Sequence, residues 1–168
     1  MDILKKYINN IINIRQELKN VDKKQLWSYD DFSNPGIDEI KIKEFEKDMH
    51  LILPNKYRDF LKVVNGWKNF WHGVDLFSIE DFKDKELMNY TKEAIELLYI
   101  DDNSLFPIGI AKEDIDLFTI IKTGYKDEGT IIWFAGCEVE RYKDFNEFLK
   151  GIYILLEDDV IDFKNDIY

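Results

Sequence analysis

Cysteine is almost absent from this chain: Cys137 is the only one among 168 residues, which excludes an internal disulfide and any multi-cysteine zinc site. Histidine is nearly as scarce, with His50 and His72 alone, so the commonest general base and zinc ligand can act from two positions only. The eight glycines are scattered and nowhere take the spacing of a P-loop or a dinucleotide-binding turn. No stretch approaches the roughly 20 apolar residues needed to span a bilayer. The opening Met1 to Asn10 is broken by charges and amides, unlike the continuous apolar run of a secretory signal. A cytoplasmic protein fits these absences. Asp101-Asp102-Asn103 lacks the glycine and distal glutamate of a calcium-binding loop and reads as a turn.

What the chain does have is apolar and aromatic bulk. Hydrophobic residues make up 45% and aromatics 15%, with four Trp, nine Tyr and twelve Phe, enough for one domain with a sizeable core. The formal net charge is −11 and unevenly spread. Residues 1–100 hold 16 Lys and Arg against 18 Asp and Glu, whereas residues 101–168 hold 7 against 16. The last two-fifths of the chain are thus its acidic part, which repels nucleic acid and anionic lipid and would steer a basic protein partner. The competing reading is a solvated surface that keeps the protein soluble.

Periodicity predicts an opening helix with Leu4, Ile8, Ile11, Ile12 and Leu18 on one side and Lys5, Asn9, Arg15 and Lys19 largely opposite. Residues 23–36 read as an ordered connector pinned by Trp27, Tyr29 and Phe32. Asp38 can cap a helix through Phe45 to about Met49. Leu53-Pro54 then opens a short helix whose Tyr57, Phe60, Leu61 and Val64 share a face, with Asn65-Gly66 as its stop. A loop holding Trp67, Phe70, Trp71 and His72 precedes a strand at Val74 to Phe77. Ser78 with Asp81 is a weak helix start for an apolar face of Leu87, Tyr90, Ala94, Ile95 and Leu98. Four strands are expected at 106–111, 116–121, 130–134 and 138–142. Asp144 with Glu147 caps a closing helix carrying Phe145, Phe148, Leu149, Ile152, Leu155 and Leu156. An acidic tail, 157–168, follows. The expectation is a single α+β domain over 1–168, with a mostly antiparallel or mixed sheet flanked by helices.

One string is more specific than any of these. Ile42, Glu44, Phe45 and Met49 lead into Leu53-Pro54, Tyr57, Phe60-Leu61 and Asn65-Gly66. Phe106-Pro107-Ile108-Gly109, Asp116, and then Phe145, Phe148 and Leu149 follow in order. This series resembles the SUKH superfamily, which includes immunity proteins related to a fungal cell-wall assembly regulator. The resemblance covers about residues 38–156, with 1–37 outside it as helix and connector. It departs from the pattern at Ile115, where a glycine usually precedes the aspartate. It implies a protein that binds and neutralises a cognate toxin domain, for which the acidic part would suit a basic toxin such as a nuclease. An intracellular regulatory or scaffolding module of the same fold is the alternative. No catalytic residue, cofactor or metal site is expected. The one enzymatic alternative pairs His72 with Cys137 or a carboxylate in a small hydrolase or transferase. The partner surface is expected at Asp101, Asp102, Glu113, Asp114 and Asp116, with Trp67 and Trp71 as aromatic anchors in their loop.

Overall fold

Short carboxylate side chains start three of the helices. Asp38 accepts a hydrogen bond from the Lys41 backbone N–H at 2.9 Å, ahead of a helix over Glu39–Met49. Asp84 accepts from Glu86 and Leu87 ahead of Lys85–Leu97. Asp144 accepts from Asn146 and Glu147 ahead of Phe145–Lys164. Each satisfies N–H groups that the first helical turn leaves without an intrahelical partner. Ser78 and Asp81 do bond to each other, but they shape only a single 3₁₀ turn over Asp81–Lys83.

The computed structural model describes residues 2–29, 32–100, 102–111, 113 and 115–167. In chain order the elements are α1 (Asp2–Val21), β1 (Phe32–Pro35), α2 (Glu39–Met49), α3 (Asn55–Val63), β2 (Val64–Trp71), β3 (Val74–Leu76), α4 (Lys85–Leu97), β4 (Leu105–Ala111), β5 (Asp116–Ile121), β6 (Ile131–Ala135), β7 (Cys137–Tyr142) and α5 (Phe145–Lys164). The strands form one sheet in sequence order, β1 through β7, with every neighbouring pair antiparallel. Successive side chains of a strand point to opposite faces. Accordingly Phe118 and Ile120 join the large core under α1, α2, α3 and α5, while Leu117 joins a smaller cluster with Leu87 and Ala94 of α4. The chain is thus an α+β domain with helices on both faces of an antiparallel sheet.

Tyr57, Phe60, Leu61, Phe145, Phe148 and Leu149 share the large core as expected, each at 2% exposure or less. Several local expectations are overturned. Trp67 to Trp71 is not a loop but the second half of β2, a strand lying between β1 and β3. Its residues are buried with little alternation, so the period-2 signal is lost. Asn65-Gly66 does not stop α3, because the chain is already extended at Val64. Instead Asn65 bolts β2 to the following turn. Its Nδ2 donates to Glu80 at 2.6 Å and its Oδ1 accepts from the Ile79 N–H at 3.1 Å. Gly66, at φ +82°, passes so close to Ser78 that an added Cβ would stand 2.4 Å from its nitrogen. Arg15 is buried rather than solvated. The connector contributes β1, and the acidic tail is mostly α5, which continues to Lys164. At Ile115 the backbone takes φ +53°, the left-handed conformation that the missing glycine would supply at little cost.

Candidate functional site

One end of the sheet collects the aromatic and ionisable groups that the sequence left scattered. The turn between β2 and β3 is His72-Gly73, with φ +43° and +77°. Two positive φ values suit a tight two-residue hairpin, where Asn-Gly is the usual choice. Histidine in that position is held by its side chain. The ring stacks on Trp27 at 4.5 Å and 11°, and on Trp71 at 4.6 Å and 19°. Its Nε2 lies 2.8 Å from Asp159 Oδ2 on α5. His72 therefore joins the connector, the hairpin turn and α5.

A second polar knot lies beside it. Asp22, at the end of α1, accepts from the Tyr29 hydroxyl at 3.1 Å and from the Trp27 N–H at 3.3 Å, both through Oδ2. Burial, then the nearby Asp22 charge, pushes the Tyr29 pKa well above the ordinary tyrosine value. Arg15 donates from Nη1 to the Phe70 carbonyl at 2.8 Å and also to that of Asn69. Its Nη2 reaches the Ser28 carbonyl at 3.5 Å. A buried guanidinium bonded to backbone carbonyls of two segments fixes their spacing. Together these contacts hold residues 22–29 as a strap over the β2–β3 end.

Those expected partner residues that are described do not form one surface. Trp67 is fully buried and Trp71 is 6% exposed, so neither can serve as a surface anchor. Trp67 packs on Phe70 at 5.3 Å, and Trp71 meets Trp133 edge-on at 5.0 Å. Asp116 is half-buried and accepts from the Trp133 Nε1–H at 2.6 Å. Asp102 is exposed, and hydrogen bonds from Ser104 hold its carboxyl below the usual aspartate range. It precedes β4 while Glu113 follows it, so the seven residues of that strand hold the two carboxylates roughly 20 Å apart. Glu113 is exposed beside His72 and Asp75. Asp101 and Asp114 lie outside the described residues.

The carboxylate half of the enzymatic alternative is present as the His72–Asp159 pair. Cys137 is exposed at the start of the edge strand β7, and no serine, threonine or cysteine among the described residues hydrogen-bonds the His72 ring. Trp27 was foreseeable as a residue that pins the connector, and Asp159 carried no local signal at all. No group of three or more His, Cys, Asp or Glu among the described residues is arranged to hold a metal ion. No helix among them is long and apolar enough to cross a membrane.

No curated protein matches the chain at a significant level. A family model described as the SMI1 / KNR4 family (SUKH-1) matches residues 36–151. That span includes the Leu-Pro helix, the Asn65 bolt, β2 to β7 and the first part of α5, and it includes His72. The residues that meet His72 and the β2–β3 end from outside, namely Arg15, Asp22, Trp27, Tyr29 and Asp159, fall beyond both of its limits. With more than half of its length matched, the chain belongs to the SMI1 / KNR4 (SUKH-1) family.

Proposed function

We propose that this protein is an immunity protein, a non-catalytic inhibitor that binds a cognate toxin domain in the cytoplasm one to one. Family membership is the observation that carries this reading. The charge of −11 supports it, since an acidic surface suits a basic toxin such as a nuclease and disfavours direct contact with nucleic acid. No cofactor is part of the proposal. The His72–Asp159 pair is assigned a structural role, because Trp27 and Trp71 cover both faces of the imidazole. The test is co-expression with the C-terminal domain of a toxin encoded beside it. Rescue of growth and co-purification are expected, and failure of both contradicts the reading. A regulatory or scaffolding module of the same fold is the alternative, and its gene would have no adjacent toxin gene.

A further inference from the structure

The strap has a cleft on either side of Leu26–Ser28. One, of about 450 Å³, is bounded by Asp22, Gln25 and Tyr29. The other, of about 410 Å³, is bounded by His72, Asp75 and Glu113. Open space on both flanks means that little packing holds the segment sideways. Lys23, Lys24, Gln25, Leu26 and Ser28 are exposed, whereas Trp27 and Tyr29 are half-buried.

Closure leaves polar groups unsatisfied. The Trp27 Nε1–H is buried without an acceptor, and Asp22 Oδ1 is buried without a donor. Asp22 is covered by the strap itself, since its other oxygen accepts from the Trp27 N–H and the Tyr29 hydroxyl. Water would satisfy both orphaned groups if the strap lifted. Gln25 stands at φ +52°, a left-handed conformation that disfavours any residue with a side chain. Against these terms stand the stack of Trp27 on His72 and two long hydrogen bonds, Arg15 Nη2 to the Ser28 carbonyl at 3.5 Å and the Trp27 N–H to Asp22 at 3.3 Å. The Lys23 and Gln25 N–H groups bond back to the carbonyls of Val21 and Asp22, contacts so local that a swing of the strap need not break them.

We propose that the strap is a latch, which opens on its own while the sheet and the helices stay folded. Opening lifts the Trp27 ring from His72 and bares the face of the imidazole that it covered, together with Asp22. A segment outside the family-matched span thereby governs access to the β2–β3 end within it. The inference goes beyond toxin binding and does not depend on it.

The tryptophans supply the test, because the Nε1–H groups of Trp27 and Trp67 are both buried without an acceptor and only Trp27 belongs to the strap. Hydrogen exchange of the indole N–H groups is followed by NMR on the full chain at increasing low concentrations of urea. The Trp27 indole is expected to exchange about a hundredfold faster than that of Trp67, at a rate that hardly responds to urea. The Trp67 rate should climb steeply with urea, because only unfolding of the sheet releases it. Equal rates or equal urea dependence would overturn the latch, since the strap would then open only with the whole fold. A Trp27 rate as fast as that of free indole would overturn it too, since the strap would then not close. Tyr29→Phe deletes the hydroxyl bond to Asp22 and keeps the ring. It should speed exchange at the Trp27 indole about threefold to tenfold, the effect of one hydrogen bond, and leave Trp67 unchanged. No change at Trp27, or the same change at both indoles, would contradict the proposal.

Discussion

Phe60 illustrates what a single residue contributes to this fold. It is fully buried, and its ring lies 4.4 Å from that of Phe145. Phe60→Ala should therefore lower unfolding free energy by about 3–5 kcal/mol in urea titrations, the usual cost of an emptied aromatic site. His72 makes a different kind of contribution, because its backbone conformation is unfavourable and its side chain offsets that. His72→Asn keeps a residue that tolerates positive φ but loses the ring stack, so it should cost about 1–2 kcal/mol, less than His72→Ala. Equal losses would show that the turn conformation is not what histidine has to overcome. At Asp102 the folded pKa is depressed by the Ser104 hydrogen bonds. Its contribution is thus present above the ordinary aspartate pKa and lost as pH falls through the depressed value. Ser104→Ala should raise the Asp102 midpoint toward that ordinary value in an NMR pH titration.

At the scale of elements, the strap depends on α1 more than on its own sequence. Arg15→Ala removes the donors to the Asn69 and Phe70 carbonyls and should cost about 2–4 kcal/mol, with fast hydrogen exchange spreading through residues 22–29. Losses confined to α1 would mean that the strap is held by Trp27 and His72 alone. Where α5 meets β7, burial first and the nearby Glu140 charge second push the Tyr142 pKa up to about 12. Stability from this group is complete below the ordinary value of 10.0 and is lost as pH rises toward the shifted one. Alkaline unfolding should accompany tyrosinate absorbance rather than follow it. The helices and β4 to β7 were legible in the sequence because capping carboxylates and apolar spacing agree there. β2 was not, because a strand flanked on both sides and buried nearly throughout shows no alternation, and Asn-Gly looked like a helix stop. Arg15 misled for a related reason: charge at a helix position says nothing about a buried carbonyl waiting to be bonded. The strap was legible as a connector pinned by Trp27 and Tyr29, but its tie to α5 was not, since Asp159 bonds a residue 87 positions earlier.

For the whole molecule, some carboxylates of residues 101–168 are used inside the fold, while others, among them Asp127, Glu128, Glu140, Glu157 and Asp158, stay exposed. Asp159 is paired with His72, Asp116 bonds Trp133, and Asp144 caps α5, which leaves Glu113 as the exposed carboxylate beside the strap. Charge reversal at Glu113 should therefore slow association with a basic partner much more than reversal at exposed Glu44, and the difference should shrink as salt screens the field. Reversal of Glu46 would be uninformative, because that side chain is buried against Arg58 and accepts from the Leu53 N–H. The central claim is that this family member neutralises a toxin by binding it. Calorimetric titration of the purified chain against the toxin domain encoded beside it tests that claim most directly. The account predicts a saturable one-to-one complex with a Kd below about 1 μM; no heat of binding and separate elution of the two proteins would contradict it.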